Sequence, residues 1–323
     1  MKHFNSDLAI EMQEEYKSED GATPGVKLDN YDYESISISH VEITNEIGVE
    51  KMGKPIGNYI TIDIPPYAHY DAEIVDSLSR VVSTKLVELI GLKDKDMALV
   101  VGLGNWNVTP DALGPKVISK LMITRHLTEL LPENIDGQIR PVCAMAPGVL
   151  GITGIETSEI IKGVVDKINP KLVICIDALA ARKLSRVHRT IQICDTGISP
   201  GAGIGNKRME INEKNIGVKV IAVGVPTVVN ATTIANDAIE MIFDELIDRY
   251  GESNELKKMI TYINEDNKWH MIQNILTPFY NELAVTPKDV DLVVDSLSKI
   301  LANSVNIALQ PALTLDDINR YIH

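Results

Sequence analysis

The sequence predicts an α/β protein in which a mainly parallel β-sheet is flanked by helices, with an N-terminal hairpin elaboration and a helical C-terminal part. The first observation is a set of short, β-branched and nearly continuous apolar runs, which is the pattern of strands covered on both faces. These runs are MALVVGL at 97–103, KLVICID at 171–177, TIQICD at 190–195 and VKVIAVG at 218–224. The second observation is that stretches with helical spacing separate several of these runs.

Two β elements and one long helix are predicted before the first of these strands. HVEITNEIGVEKMGK at 40–54 has the composition of a polar hairpin, and YITIDIP at 59–65 is typical of a strand that Pro65 stops. Residues 70–92 carry apolar side chains at helical spacing and a glycine near the end of the segment, so they predict a helix.

Helices are also predicted between and after the apolar strands. KVISKLMITRHLTELL at 116–131 and TSEIIKGVVDKI at 157–168 have helical periodicity. From Ala231 the chain is mostly helical, with long helices predicted at 234–250 and 290–309. No shift in composition and no low-complexity linker divides the sequence, so we expect one domain.

Composition and charge restrict the functional class. The 323 residues are 45% hydrophobic, and 45 acidic against 31 basic residues give a net charge of -14, which argues against nucleic-acid binding as the main activity. Residues 1–20 lack the apolar core of a signal peptide, and we find no window of ~18 apolar residues that would suit a membrane span. We therefore expect a cytoplasmic protein without a membrane partner.

Cysteine and histidine spacing predicts neither a cofactor nor a metal site. The cysteines Cys143, Cys175 and Cys194 form no CxxC pair, and each lies in an apolar run where a small buried side chain is the ordinary interpretation. The seven histidines are scattered without HxxxH or HExxH spacing. The sequence therefore shows no histidine-rich metal site.

Two aspartates fall where open α/β sheets gather ligands, at the carboxyl ends of strands. Asp177 ends the run KLVICID, and Asp111 lies in the loop between the strand at 97–103 and the helix that follows it. A single aspartate at such a place often caps a helix or holds a loop, but two at equivalent strand ends favour chemistry. A third acid, Asp195, ends TIQICD and is a further candidate for the same cleft.

Two short motifs near these acids match catalytic patterns only in part. GLGN at 102–105 lacks the third glycine of a dinucleotide loop and the Lys-Ser/Thr pair of a phosphate loop. GISPG at 197–201 matches the serine-hydrolase pattern G-x-S-x-G, with Ser199 as the nucleophile. The next residue is Pro200, which has no N–H to donate to an oxyanion hole, so a chance match is the better interpretation.

Four segments carry a family resemblance that extends along nearly the whole chain. They are VVGLGNWNVTPDALGP at 100–115, CAMAPGVLGITGIET at 143–157, VICIDALAARKLSRVHRTIQICDTGISPGAGIGNKR at 173–208 and VIAVGVPTVVNATTIA at 220–235. The chain resembles the germination protease of spore-forming bacteria. The resemblance implies an endopeptidase that starts the degradation of small acid-soluble spore proteins in the spore core, forms a homotetramer and is made as an inactive, self-processing precursor. It places the family's proposed catalytic acids on Asp111 and Asp177.

A second, weaker resemblance is to hydrogenase-maturation endopeptidases. GLGNWNVTPDALG at 102–114 and ICIDALA at 174–180 look like the glycine-asparagine loop with its acid and the second strand with its Asp-Ala pair. Those enzymes also hold nickel with a histidine, and no histidine of this sequence lies in a matching motif. A metal-dependent endopeptidase of that type is one alternative, and a non-enzymatic oligomeric binding protein with a purely structural acid pair is another.

The interpretation that we favour is peptide hydrolysis by the acid pair. When two carboxyls approach closely, repulsion between like charges raises one pKa, so that one carboxyl holds a proton while the other stays ionised. The ionised member would deprotonate water, and the protonated member would polarise the scissile carbonyl. Because the proton belongs to the coupled pair, the sequence does not divide these roles between Asp111 and Asp177.

A basic cluster follows the second acid within ARKLSRVHR at 181–189. Since the resembled family cuts after glutamate, a basic subsite is electrostatically reasonable, and we assign substrate binding to Arg182 and Arg186. A solvated basic face is the alternative interpretation, and Lys207 and Arg208 are rival candidates for the subsite.

The amino terminus contains a sequence of the kind that the resembled family cleaves. That family cuts between an acidic residue and a large apolar one, commonly followed by alanine, and Asp7, Leu8 and Ala9 have this order. We therefore predict a propeptide of residues 1–7, cleavage between Asp7 and Leu8, and a single α/β peptidase domain at 8–323. The alternative role of Asp7 is to cap the helix that LAIEMQEEYKS begins.

Overall fold

The computed structural model describes residues 6–16, 23–65, 71–93, 95–130, 139–204, 208–250, 271–272, 274–275 and 283–322. These residues form one mixed sheet of nine strands, with helices packed on both of its faces.

The strands place a parallel unit at one side of the sheet and an antiparallel unit at the other. They are β1 (Val26–Tyr33), β2 (Ile36–Ile43), β3 (Gly57–Asp63), β4 (Ala98–Gly102), β5 (Val142–Met145), β6 (Leu172–Ala181), β7 (Thr190–Cys194), β8 (Lys219–Asn230) and β9 (Ala284–Val285). Their spatial order is β1-β2-β3-β7-β8-β6-β4-β5, and β9 pairs with the end of β8. The strands β8, β6, β4 and β5 are mutually parallel, and the others extend the sheet with antiparallel pairs. The predicted α/β class with a parallel central sheet is confirmed.

Helices cover the sheet and form most of the described C-terminal part. They are α1 (Ala9–Tyr16), α2 (Glu46–Met52), α3 (Ala72–Ile90), α4 (Leu113–Ile118), α5 (Arg125–Leu130), α6 (Leu150–Thr153), α7 (Thr157–Ile168), α8 (Glu213–Ile216), α9 (Ala231–Tyr250), α10 (Val290–Leu309) and α11 (Leu315–Ile322). A short 3₁₀ helix, Thr109–Asp111, precedes α4. The helices predicted at 70–92, 157–168 and 290–309 are confirmed.

The largest core lies between the sheet and the helices α3 and α10. Ile174 of β6 and Val223 of β8 project into this core, where they join Leu297 and Leu301 of α10. All four side chains are fully buried. The other face of the sheet is covered by α7, so the central strands are apolar on both sides and their sequences read as continuous apolar runs.

The expectation that no segment is apolar enough to span a membrane is wrong for α10. In the described part of the chain, Val290–Leu309 is one helix that is long and apolar enough for a span by composition. It is apolar because it is the central core helix, and 72% of its most apolar window is buried inside the protein.

The N-terminal hairpin lies earlier in the chain than the sequence analysis placed it. It is formed by β1 and β2, whereas residues 40–54 supply the end of β2 and the helix α2. The Asn45 side chain caps α2 by accepting a hydrogen bond from Gly48 N–H at 3.1 Å, and Gly53 ends the helix with a φ of 64°. Both capping residues are visible in the sequence, and they indicate a helix here and not a hairpin.

The single helix predicted at 116–131 is divided into α4 and α5. Between them, Met122 N–H donates to Asn306 Oδ1 at 2.9 Å, and Thr124 N–H donates to the Val142 carbonyl oxygen at 3.0 Å. The backbone therefore leaves the helical path to bond with α10 and with the edge strand β5. Such long-range contacts override local helical periodicity.

We expect Leu301→Ala to lower the free energy of unfolding by about 2–5 kcal/mol, because it removes a fully buried side chain of α10 and leaves a cavity. Leu292→Ala is the matched control on the same helix, since Leu292 is 48% exposed and should change stability by less than about 0.5 kcal/mol. Urea denaturation followed by circular dichroism measures both. Equal effects would contradict the role of α10 as the core helix.

Candidate active site

Gln192, Gly224 and Asp177 form one row across three adjacent strands. Gly224 of β8 pairs with Gln192 of β7 on one side and with Asp177 of β6 on the other. Paired residues project to the same face of a sheet, so the two side chains flank a glycine that has none. The same face also presents Leu179 and Cys194. The row therefore carries a carboxyl on one side and an amide on the other, and the Leu179 side chain packs against Gly224 between them.

Asp177 is the first residue of β6 beyond the pairing of that strand with β4. Gly102, the last residue of β4, pairs with Ile176, so β4 does not extend alongside Asp177. The sequence analysis ended β6 at this acid, but the strand continues to Ala181 because these residues still pair with β8. Asp177 is thus held within a strand, with 6% of its surface exposed.

Asp111 is held near the end of β4 by a tightly folded loop. Asn105 N–H donates to the Asp111 carbonyl oxygen at 3.1 Å, and Gly104 adopts a φ of 104°. A Cβ on Gly104 would lie 2.0 Å from that same oxygen, and a Cβ on Gly114 would lie 2.6 Å from the carbonyl oxygen of Ile176. Gly104 and Gly114 therefore allow close packing of the loop against the strand ends.

The two acids are close enough to influence each other's ionisation. Burial raises the pKa of Asp111 to about 6. Burial raises the pKa of Asp177 well above its ordinary value, and the negative charge of Asp111 raises it further. A hydrogen bond of 2.9 Å from Ala178 N–H to Asp177 Oδ1 opposes this shift. Both shifts favour retention of a proton by the pair at a higher pH than for free aspartates.

The amino-terminal segment lies in this cleft. Asp7 N–H donates to the Ala180 carbonyl oxygen at 3.1 Å, and Ala180 N–H donates to Asp7 Oδ2 at 2.9 Å. The Asp7 charge also contributes to the raised pKa of Asp177. Leu8 N–H, at the start of α1, donates instead to Ser6 Oγ at 3.0 Å. The Asp7 carboxylate is therefore directed to β6 and not to the amino terminus of α1.

The Asp7 carbonyl oxygen accepts two side-chain hydrogen bonds. Lys54 Nζ donates to it at 3.0 Å, and Gln192 Nε2 donates to it at 2.9 Å. Gln192 Oε1 also accepts from Ala9 N–H at 2.7 Å, so the same amide holds the backbone on both sides of Leu8. The Leu8 side chain is fully buried in an apolar cluster. These contacts fix the peptide group between Asp7 and Leu8.

A cavity of about 300 Å³ opens beside this peptide group. Lys54, Gln192, Tyr59 and Gly224 contribute to its lining. Burial lowers the pKa of Lys54, and the Asp7 carboxylate opposes that shift. The cleft thus has room next to the carbonyl group that Lys54 and Gln192 bind.

The predicted substrate-binding arginines are paired with acids of the chain itself. Arg186 Nη2 donates to Glu14 Oε1 at 2.5 Å, and Arg182 Nη2 lies 3.5 Å from Asp237 Oδ1. Arg182 N–H also donates to Glu11 Oε2 at 2.7 Å. The basic cluster therefore binds the acidic face of α1, whereas the Asp7 carboxylate is bound by β6.

The other candidates from the sequence occupy separate positions. The Asp195 carboxylate accepts hydrogen bonds of 2.8 Å from both Asn58 N–H and Asn58 Nδ2, so it joins β3 to the end of β7. Because β7 is antiparallel to β8, this end lies toward the amino end of β6, away from the acid pair. Arg208 N–H donates to the Pro200 carbonyl oxygen, and Lys207 lies outside the described residues.

The cysteines are free thiols, and Cys175 and Cys194 are buried as predicted, whereas Cys143 is partly exposed. Within the ranges that the structure describes, no group of three or more His, Cys, Asp or Glu side chains is placed to hold a metal ion.

Lys54 and Gln192 were not predicted from the sequence as residues of the site. Gln192 had a weak signal, because it is a polar side chain inside the apolar strand TIQIC, and a buried polar side chain needs a partner. Lys54 follows the glycine that ends α2, and its partner Asp7 is 47 positions away along the chain. No local pattern indicates such a contact.

Comparison with known proteins gives a consistent family match. The family model described as germination protease matches residues 5–262 and 244–322. The chain is 55% identical over 325 residues to the germination protease of Clostridium perfringens (strain ATCC 13124), with 100% of both chains covered. It is 54% identical to that of Clostridium tetani (98% of this chain, 99% of the relative) and 38% identical to that of Bacillus cereus strain AH187 (98% and 96%).

Among solved structures, the NiFe hydrogenase maturation protease HycI from Thermococcus kodakarensis is a weak match. Its TM-score is 0.28 and its sequence identity 17%, with 44% of this chain and 80% of that chain covered.

A mainly parallel sheet flanked by helices, with two acids of raised pKa and a firmly held peptide group on it, is an α/β fold that suits a peptidase. The chain belongs to the germination protease family. It is therefore a spore endopeptidase.

We expect Asp111→Asn and Asp177→Asn to raise the melting temperature by a few degrees at pH 7–8. Because the pKa of each acid is higher in the folded than in the unfolded protein, the free energy of unfolding falls as the pH rises. For Asp111 the decrease runs from about pH 4, where unfolded aspartate titrates, through its folded pKa of about 6. An amide resembles the protonated form, so the gain should vanish near pH 4. Differential scanning fluorimetry from pH 4 to 8 measures it, and a pH-independent gain would contradict the raised pKa values.

Proposed function

We propose that the chain cleaves small acid-soluble spore proteins after an acidic residue and before a large apolar one, with Asp111 and Asp177 as the hydrolytic acid pair. The observation that carries this proposal is the chain's own Asp7–Leu8 peptide, which has this residue order and lies in the cleft beside Asp177. The segment supports the proposal because it presents an acidic side chain, a carbonyl group and a buried leucine to the cleft in the order that a substrate would.

Recognition of the acidic side chain is assigned to backbone N–H groups. Ala180 N–H donates to Asp7 Oδ2 at 2.9 Å, and the Gly203 backbone provides a second hydrogen bond to this carboxylate. Burial raises the pKa of Asp7, and these two hydrogen bonds oppose that shift. A Cβ on Gly203 would lie 2.2 Å from the same carboxylate oxygen, so only glycine allows this approach. The apolar cluster around Leu8 supplies the preference for a large apolar residue after the bond.

In this proposal Arg182 and Arg186 remain substrate-binding residues, but they bind the part of the substrate on the carboxyl side of the cleaved bond. In this structure the Arg182 backbone N–H binds Glu11 and the Arg186 side chain binds Glu14, both in α1, which follows the proposed cleavage site. Acidic side chains on the carboxyl side of the cut would take the same places.

Hydrolysis by the pair follows from its shared proton. The ionised carboxyl takes a proton from water as the water oxygen attacks the carbonyl carbon, and the protonated carboxyl polarises the carbonyl group. The pair titrates as a unit, so the two roles belong to Asp111 and Asp177 together.

The precursor is proposed to consist of a propeptide, residues 1–7, and one peptidase domain, residues 8–323. Occupation of the cleft by Asp7 and full burial of Leu8 support an inactive precursor, because a substrate would need the same space. The homotetramer, the location in the spore core and hydrolysis without a metal or cofactor belong to the same proposal, and the family resemblance is their support.

Asp111→Asn and Asp177→Asn should each fold and lower kcat for cleavage of a small acid-soluble spore protein by about 10²–10⁴-fold, since neither amide can exchange the proton. Asp195→Asn is the matched control, because Asp195 bonds to Asn58 away from the pair. Its kcat should stay within about threefold of the wild-type value.

Gel electrophoresis and mass spectrometry of the products measure this cleavage. Near-normal turnover in either variant of the pair would refute the assignment. Loss of wild-type activity after exhaustive chelation, with recovery on adding metal, would support a metal-dependent endopeptidase instead.

Maturation should release residues 1–7 and leave Leu8 as the new amino terminus. Asp7→Lys should stop this processing, because a lysine cannot accept the hydrogen bond from Ala180 N–H and would place a second cation beside Lys54. Asp32→Lys is the matched control at an exposed position of β1. Intact-mass analysis of each protein brought to activity follows the change, and an active form that retains Asp7 or begins elsewhere defeats the proposal.

A further inference from the structure

The Asp7 carbonyl oxygen is the atom on which negative charge would develop during hydrolysis of the Asp7–Leu8 bond. Addition of water to the carbonyl carbon moves the π electron pair onto this oxygen. Asp177 lies close enough to Asp7 for their charges to interact, so like-charge repulsion disfavours a further negative charge here. The protonated carboxyl of the acid pair polarises the carbonyl group, and further donors at this oxygen would stabilise the developing charge.

Two side chains from different elements supply donors at this oxygen. Lys54, which follows α2, places Nζ at 3.0 Å, and Gln192 of β7 places Nε2 at 2.9 Å. Both distances lie in the range of about 2.7–3.1 Å that is typical of oxyanion-hole donors. Lys54 adds a positive charge, which stabilises an oxyanion more than a neutral donor does.

The orientation of the Gln192 amide is fixed by a second hydrogen bond. Its Oε1 accepts from Ala9 N–H at 2.7 Å, which leaves Nε2 directed at the Asp7 carbonyl oxygen. The side chain is 6% exposed, so water competes little for this donor. A preorganised donor in a buried site stabilises developing charge without reorganising during the reaction.

The position of Gln192 in the sheet also suits this role. Gln192 and Asp177 lie on opposite sides of Gly224 in the same row, and two strand spacings separate their backbones by roughly 10 Å. The Leu179 side chain packs directly against Gly224, so an apolar group lies between the donor and the acid. Gln192 and Asp177 therefore face the same side of the sheet across an apolar contact.

We propose that Lys54 and Gln192 are catalytic residues that form the oxyanion-binding site of this peptidase. The assignment rests on the proposed cleavage of the bond that follows an acidic residue. Water adds its oxygen to the carbonyl carbon and gives a proton to the ionised member of the acid pair, while Lys54 and Gln192 hold the oxyanion. When the carbonyl group re-forms, the C–N bond breaks, its electron pair goes to the Leu8 nitrogen, and a protonated carboxyl supplies the proton. The products are a carboxylic acid at Asp7 and an amine at Leu8.

A different role for Lys54, recognition of the acidic side chain, gives a different kinetic result. Lys54 also opposes the raised pKa of Asp7, so its charge reaches that carboxylate. A lysine that only recognised the acid would favour a glutamate substrate over its glutamine analogue. A lysine at the oxyanion stabilises the transition state of both substrates equally.

The test compares Lys54→Met and Gln192→Met with Lys51→Met, an exposed lysine of α2 that serves as the matched control. Two peptides, with glutamate or glutamine before the same leucine-alanine sequence, are the substrates. Variants that fail to process themselves are matured by affinity-tagged wild-type enzyme, which is then removed through its tag. Circular dichroism verifies that each variant is folded.

We expect each methionine substitution at the proposed site to lower kcat by about 10²–10³-fold, with KM within about threefold of wild type. The loss should be the same for both peptides, and Lys51→Met should behave as wild type. Where a methionine variant does not fold, Lys54→Arg and Gln192→Asn, which keep the polar group but displace it, should show the same loss of kcat.

Variants that retain kcat, that change only KM, or that lose only the preference for glutamate overturn the oxyanion assignment. In that case, cleavage of the peptides by the wild-type protein still upholds the proposed function. A wild-type protein that cleaves neither the peptides nor its own leader rejects the proposed function, and the oxyanion assignment with it.

Discussion

Removal of two neighbouring carboxyls, Asp111 and Asp177, from water is the constraint on which the organisation of the site depends, and repulsion between them adds to it. Each acid is held by backbone structure that cannot easily move: Asp177 lies inside β6, and Asp111 lies in a loop whose glycines pack against the strand ends. Their repulsion is relieved by retention of a proton, which gives a buried site an acid and a base at the same pH.

The stability needed to hold this arrangement comes from elsewhere in the molecule. The helices α3 and α10 bury one face of the sheet, and α7 covers the other. An extensive core can offset a few unfavourably placed charges, because burial of each large apolar side chain contributes about 1.5–3 kcal/mol. The acid-bearing strand β6 is buried along nearly its whole length and carries an acid with a raised pKa.

The sequence predicted the features that depend on local pattern. The apolar strands, the long helices and the position of Asp111 beyond β4 follow from periodicity and strand boundaries, which are properties of neighbouring residues. Asp177 was predicted to end its strand, but β6 continues to Ala181 because it still pairs with β8. The division of α4 from α5 did not follow, because Met122 and Thr124 bond to distant segments. Lys54 and Gln192 were missed for the same reason, since they meet the Asp7 carbonyl group across 47 and 185 positions of the chain.

The complete burial of Leu8 has a consequence for the direction of maturation. In the proposed maturation, hydrolysis before Leu8 would create an ammonium group where a neutral peptide nitrogen now lies among buried apolar side chains. An α-amino group has a pKa of about 7.7–8.0 in water, and an unsolvated charge costs several kcal/mol. The new ammonium group would therefore be driven out of the geometry in which it formed, whereas the new carboxylate would keep Lys54 and Gln192 as partners. Separation of the two termini would make resynthesis of the bond negligible. The leader would block the cleft until it is cleaved, and the charges created by this cleavage would make its removal irreversible.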